Sequence, residues 1–198
     1  MKIHTILLVI PCILSSCGSM LEPVKDTSVH HMLESTIPHR GITGSSPAVA
    51  ISRPSLPSYL DREQLVSRSD GGTLQMNNYH LWAEPLNAGI SRVMAINLGR
   101  LTNSLNIQPV ESFVTLDYQK LLEIRISRFE ADASNNIVLE CTWKLQPVTG
   151  RVADTRTFQT MVPVSAADSA ITSAALAGRV SAMNEALARL SRVIARSL

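Results

Sequence analysis

Ile137-Val138-Leu139-Glu140-Cys141-Thr142-Trp143-Lys144-Leu145 puts Ile137, Leu139, Cys141, Trp143 and Leu145 on one side of an extended chain. Val138, Glu140, Thr142 and Lys144 fall on the other, the two-residue period of a half-buried strand. Just upstream, Leu122, Ile124 and Ile126 alternate with Glu123, Arg125 and Ser127 in the same way. The turn-rich segments 132–136 and 147–150 separate these strands from each other and from a third near residues 155–162. Three such strands in succession predict an antiparallel meander.

Helices flank it. Ser165-Ala166-Ala167-Asp168 has capping-box spacing, with Asp in place of Glu, and opens a long Ala-rich helix. Leu176, Val180, Met183, Leu187, Leu190 and Ile194 step by four and three along it and form its buried stripe. Glu185, Arg189, Arg192 and Arg196 project from the opposite side, and the three arginines are a candidate docking face. An earlier helix opens at Glu84-Pro85, where proline leaves no amide unpaired and the acid complements the helix dipole. Its expected stripe is Ile90, Met94, Leu98, Leu101 and Leu105. Strands are predicted at 48–51, 65–68 and 74–77, the last two joined at Asp70-Gly71-Gly72. The expected architecture is α+β: one domain, with a mostly antiparallel sheet of about five or six strands packed by two main helices.

The start of the chain carries an address. Lys2 precedes an apolar run, residues 3–14, that ends in Leu14-Ser15-Ser16-Cys17. That run is far short of the ~20 residues that cross a bilayer, and cysteine after two small residues is the pattern of a bacterial lipoprotein signal. The expected division is therefore a signal peptide at 1–16, lipidated Cys17 with a flexible tether at 17–47, and a folded domain at 48–198. Residues 18–47 are rich in Ser, Thr, Pro, Gly and His, and thirty flexible residues span about 30 Å. His30, His31 and His39 are read as solvated members of this tether, without the Cys or carboxylate spacing of a metal site.

Composition narrows the function. The 198 residues suit one domain, and a net charge of +2, falling to +1 once Lys2 leaves, argues against nucleic acid as a partner. With Cys12 in the signal and Cys17 acylated, Cys141 is left unpaired, read as a small core residue on an inward strand face. No G-x-S-x-G, H-E-x-x-H or G-x-G-x-x-G occurs, and His80 stands alone in the expected domain. The chain is accordingly expected to be no enzyme and to need no cofactor or metal.

Two stretches point to a family. Tyr59-Leu60-Asp61-Arg62 followed by Leu65-Val66-Ser67-Arg68, and then Trp82-Ala83-Glu84-Pro85-Leu86, resemble the auxiliary lipoproteins of ABC-type transport systems, the paraquat-inducible protein C family. Arg128-Phe129-Glu130, the Trp143 strand and the terminal helix resemble its second half; Leu81 stands where the family often carries arginine. The resemblance implies a periplasm-facing accessory that works with a mammalian-cell-entry (MCE) domain protein in moving lipids between membranes. Gly18 after the cysteine fits outer-membrane sorting as known in proteobacteria. Another reading is a stand-alone assembly or pilot lipoprotein of some other envelope machine, and rings are common in such bridges, so a homo-oligomer is expected. Tyr59, Arg62, Trp82, Glu84 and Pro85 are the candidate site residues: Trp82 and Pro85 as a packed sheet-to-helix corner, Tyr59 and Arg62 as an exposed binding edge.

Overall fold

A computed structural model describes residues 26–39, 41–111, 117–150, 154–164 and 173–198. The signal segment, Cys17 and the 165–168 capping box lie outside the described residues. The centre is the predicted meander: β6 (Lys120–Ala131), β7 (Asn136–Pro147) and β8 (Arg156–Pro163), each antiparallel to the next. Asn135, at φ 57°, turns the chain from β6 into β7.

Beyond β6 the sheet departs from the expected pattern. Its free edge is shared by two groups of strands. At its start runs β2 (Val49–Ile51), parallel to it, with β5 (Ile107–Pro109) parallel beyond. At its end, Ser67 of β3 (Gln64–Arg68) pairs in parallel with Ala131; β4 (Leu74–Trp82) follows antiparallel, and β1 (Val29–His31) runs parallel to β4. Among the described residues the sheet is thus mixed and eight-stranded, not mostly antiparallel with five or six. The extra strands β1 and β5 are three residues long, too short to show a period, and strand direction leaves no mark in so short a run.

The expected tether also folds. From Val29 the chain is part of the domain: β1 joins the sheet, and Leu33 and Ile37 are buried. Side chains rather than a ladder hold the segment after β1. Arg92 Nη2 donates to the Leu33 carbonyl at 2.8 Å, Arg100 Nη1 donates to that of Ile37 at 2.6 Å, and the Glu34 amide donates to Asn184 Oδ1 at 2.9 Å. Isolated apolar residues pinned by distant polar partners carry no periodic signal, which is why a strap reads as a tether.

Helices α1 (Leu86–Thr102) and α2 (Ser173–Ala195) pack on one face of the sheet. The whole expected stripe of α2 is buried, against Leu122, Ile124, Ile126, Leu139 and Trp143. In α1, Ile90, Met94 and Leu98 are buried with Leu86 and Val93, but Leu101 and Leu105 are exposed. The helix stops at Thr102, where Asn103 adopts the left-handed conformation and its amide returns to the Gly99 carbonyl.

One local feature decides what β6 shows to each side. Ile126 pairs with Cys141, but the next pair is Arg128 with Glu140, so β6 holds one extra residue there. This bulge flips the alternation: Leu122, Ile124 and Ile126 face the helices, and after it so do Phe129 and Ala131. Glu130 is turned to the opposite face. Val138, expected to be outward and wet, lies in register with Glu130 and is buried there too.

Candidate functional site

Four of the five motif residues meet at the corner where β4 runs into α1. Asp61, Arg62, Glu63, Trp82, Ala83, Glu84, Pro85 and Leu86 line a shallow recess of about 270 Å³. The backbone fixes its walls. The Trp82 amide donates to the Glu63 carbonyl at 2.6 Å, and the Ala83 amide to that of His31 at 2.9 Å, so the turn is held from both sides. Pro85 takes the N-cap position, and its carbonyl accepts from the amides of Ala88 and Gly89 at 2.9 and 3.0 Å, which starts the helix. Trp82 is buried, while the Pro85 ring is exposed.

Glu84 is an internal partner rather than a free acid. It pairs with Arg92 nearly two turns into α1, and Arg92 Nε lies 3.1 Å from Glu84 Oε1. Because Arg92 also holds the Leu33 carbonyl, one guanidinium ties the corner to the strap. Gly89 makes the approach possible: a Cβ there would stand 3.0 Å from Glu84 Oε1. Arg62 is half-buried; its Nε has no hydrogen-bond partner and its guanidinium reaches the Met76 sulfur.

Tyr59 is not at this recess and is not a free edge. Its hydroxyl lies 3.0 Å from Glu130 Oε2 and 3.2 Å from the Ser127 carbonyl, with Arg68 over its ring at 5.3 Å. Glu130 is fully buried and saturated. Arg68 Nε at 2.8 Å and Arg128 Nε at 3.1 Å donate to Oε1, and the Phe129 amide at 2.9 Å donates to Oε2 together with Tyr59. Burial first, and then the Glu130 charge, pushes the Tyr59 hydroxyl pKa above its ordinary value. This cluster joins β3 and the 57–63 loop to the end of β6. It is a structural lock, and alternation alone misplaces it, since the pattern of Leu122, Ile124 and Ile126 continued without a bulge would put Glu130 on the helix face.

Arg189, Arg192 and Arg196 lie away from the recess, on the outer side of α2. Arg189 and Arg192 each pair with Glu185 at 3.2 Å, and Arg189 Nη1 also donates to the Met161 carbonyl of β8 at 3.1 Å, so part of the candidate face serves the fold. Arg192 and Arg196 are exposed.

His80 is not alone. Its Nδ1 lies 2.9 Å from His31 Nε2, with the rings stacked at 5.2 Å, a contact that β1 brings from forty-nine residues away. Burial, followed by the neighbouring His80 and His30, lowers the His31 pKa below its ordinary value. Among the described residues no three His, Cys, Asp or Glu converge as a metal site. Cys141 is buried, and burial pushes its thiol up to about 12, which makes it inert. Among the described residues, no helix is long and apolar enough to cross a membrane.

Comparison with known proteins adds a family. The pattern described as the ABC-type transport auxiliary lipoprotein component matches residues 31–195, which takes in the recess, the lock and both helices. Among solved structures, an uncharacterised protein superposes with a TM-score of 0.66 at 16% identity, covering 86% of this chain and 98% of its own. Protein XCC0632 from Xanthomonas campestris, of the DUF330 family, does so with 0.66 at 17%, covering 85% and 93%. At such identities these likenesses establish the fold. The PelC dodecamer from Paraburkholderia phytofirmans, at 13% identity and covering 78% and 93%, reaches a TM-score of only 0.38. No curated protein matches in sequence.

Proposed function

Since the chain belongs to the ABC-type transport auxiliary lipoprotein family, we propose that it is a non-catalytic accessory of an MCE-type intermembrane lipid transport system. In this reading lipidated Cys17 anchors it in the outer membrane, and the folded domain docks onto the periplasmic MCE protein. The observation that supports the docking surface is the recess itself: Arg62 and the contiguous Trp82, Glu84 and Pro85 line one concavity. An exposed proline ring beside a half-buried arginine is suited to a protein partner. Docking also comes with self-association, supported by the outer edge of β8, unpaired among the described residues and carrying exposed Met161.

A photo-crosslinking residue at Asp61, exposed on the recess, tests the docking in intact cells. The expected product is a covalent adduct with an MCE-domain protein. Recovery of secretin or pilus components without an MCE protein would assign the chain to another envelope machine. For the anchor, Cys17→Ala is expected to release the chain into the soluble periplasmic fraction, and unchanged membrane fractionation would refute it.

A further inference from the structure

A second cavity shares Trp82 and Leu86 with the recess and lies between the β3–β4 hairpin and α2. It measures about 360 Å³, at the small end of the ~300–1,000 Å³ of small-molecule sites. Its floor is apolar, with Leu65, Trp82, Phe129, Ile137, Leu176 and Met183 among the lining residues. Exposed Met76 and Tyr79 line it as well, so it opens to solvent along β4.

One cation shares this apolar chamber. Arg179 of α2 lines it, half-buried, and its partner among the described residues is the neutral Asn135 Oδ1, 3.0 Å from Nε. Among the described residues no carboxylate pairs with it. Burial lowers its pKa, the direction expected of a guanidinium without an anion to compensate lost water. Arg68 and Arg128, by contrast, hold Glu130, and Arg92 holds Glu84. At Arg179 no described residue supplies the counter-charge, which leaves its guanidinium open to an anion entering the cavity.

We propose that this cavity binds a single-chain anionic amphiphile, a fatty acid or lysophospholipid, with its acyl chain on the apolar floor and its carboxylate or phosphate on Arg179. The volume suits one chain rather than a two-chain lipid. Polarizable, flexible Met76 and Met183 adapt to chains of differing length and unsaturation. A buried arginine gives a planar, forked donor set matched to either oxyanion. The inference deepens the lipid-transport reading and rests on it for the choice of lipid over other amphiphiles. Its test reads the cavity alone, so failure of binding and failure of MCE docking are separate results.

The experiment is a fluorescence titration of residues 18–198, which keep every described residue, with 11-(dansylamino)undecanoic acid. Saturable one-to-one binding is expected, reversed by palmitate and by lysophosphatidylglycerol; displacement by only one of them identifies the head group. Arg179→Gln is expected to weaken palmitate about tenfold or more, the scale of a hydrogen bond to a charged group, and to leave neutral hexadecanol unchanged. Met183→Trp, checked for a native melting transition, is expected to abolish binding by filling the chamber. Should that variant fail to fold, the Arg179→Gln comparison still decides. Absence of saturable binding by the folded wild type would overturn the proposal. So would equal palmitate affinity in wild type and Arg179→Gln.

Discussion

Along β7 every inward side chain from Ile137 to Trp143 is apolar and buried, whereas the arm made of β1, β4 and β3 is held by Glu130, by the Arg92 bridge and by a pair of histidines. The meander gains stability in proportion to the apolar area removed from water, a term that carries no titrating group. The arm depends on charged and hydrogen-bonded groups, which cost desolvation and hold only while every partner is present. The motif residues and both concavities lie in or beside the arm. The regular half is scaffold, and the half that carries the proposed recognition surfaces is stabilised by removable parts.

The largest break in that contrast comes at Glu130. Glu130→Ala leaves Arg68, Arg128 and Tyr59 without their common acceptor, and removal of one partner from a buried charge cluster costs about 3–5 kcal/mol. Chemical denaturation measures the loss. Hydrogen exchange locates it: the amides of β3 and β4 are expected to exchange faster, while that of Leu139 at the centre of β7 keeps its protection. Uniform acceleration across both halves would mean that the arm and the meander open as one unit.

The same contrast governs what could be read from the residues alone. The 137–145 strand, its neighbours and the α2 stripe were legible because apolar period and burial coincide over long runs. The arm was not. A three-residue β1 has no period, the strap after it is held by Asn184, Arg92 and Arg100 from distant segments, and the bulge at Ser127 that turns Glu130 away from the helices adds one residue without a turn signal. The recess was half legible: Trp82 to Leu86 is contiguous and its corner geometry follows from Pro85, but Arg62 joins it only through the hydrogen bond from Trp82 to Glu63. Tyr59, next to Arg62 in the same motif, belongs to the lock instead.

On the scaffold side, Cys141→Ser puts a hydroxyl among apolar neighbours on the inner face of β7, at an expected cost of about 1–3 kcal/mol. That is smaller than the loss at Glu130 because nothing charged is orphaned. The native thiol, pushed up to about 12 by burial, is expected to resist alkylation at neutral pH until the domain unfolds. Labelling of the native protein as fast as of the denatured chain would show that the meander opens more readily than the arm.

Acid separates the halves further. The folded-state pKa of His31 is depressed, chiefly by burial, so the unfolded chain takes up its proton first, near the ordinary value of ~6.5. The stability contributed by the neutral ring is complete above that pH. It declines as pH falls through ~6.5 and levels off below the folded pKa. The melting temperature is therefore expected to drop between pH 7.5 and 5.5, and His31→Phe to flatten that slope. An equal slope in His31→Phe would place the acid sensitivity elsewhere.

The smallest effect on stability is expected on the outer side of α2, and there it is the more informative for being small. Arg192 pairs with Glu185 in solvent, and Arg196 is exposed, so replacing both by alanine should change stability by no more than about 0.5 kcal/mol. Arg189 is left intact because it also holds the Met161 carbonyl of β8, and losing it would mix folding with surface chemistry. With the fold undisturbed, the double variant compares the two candidate docking surfaces cleanly. If the partner meets the recess at Trp82 and Pro85, crosslinking from Asp61 proceeds as in the wild type. If it instead fails while the melting temperature stays put, the arginine face of α2 takes part in docking, and the division into a scaffold half and a recognition half no longer holds.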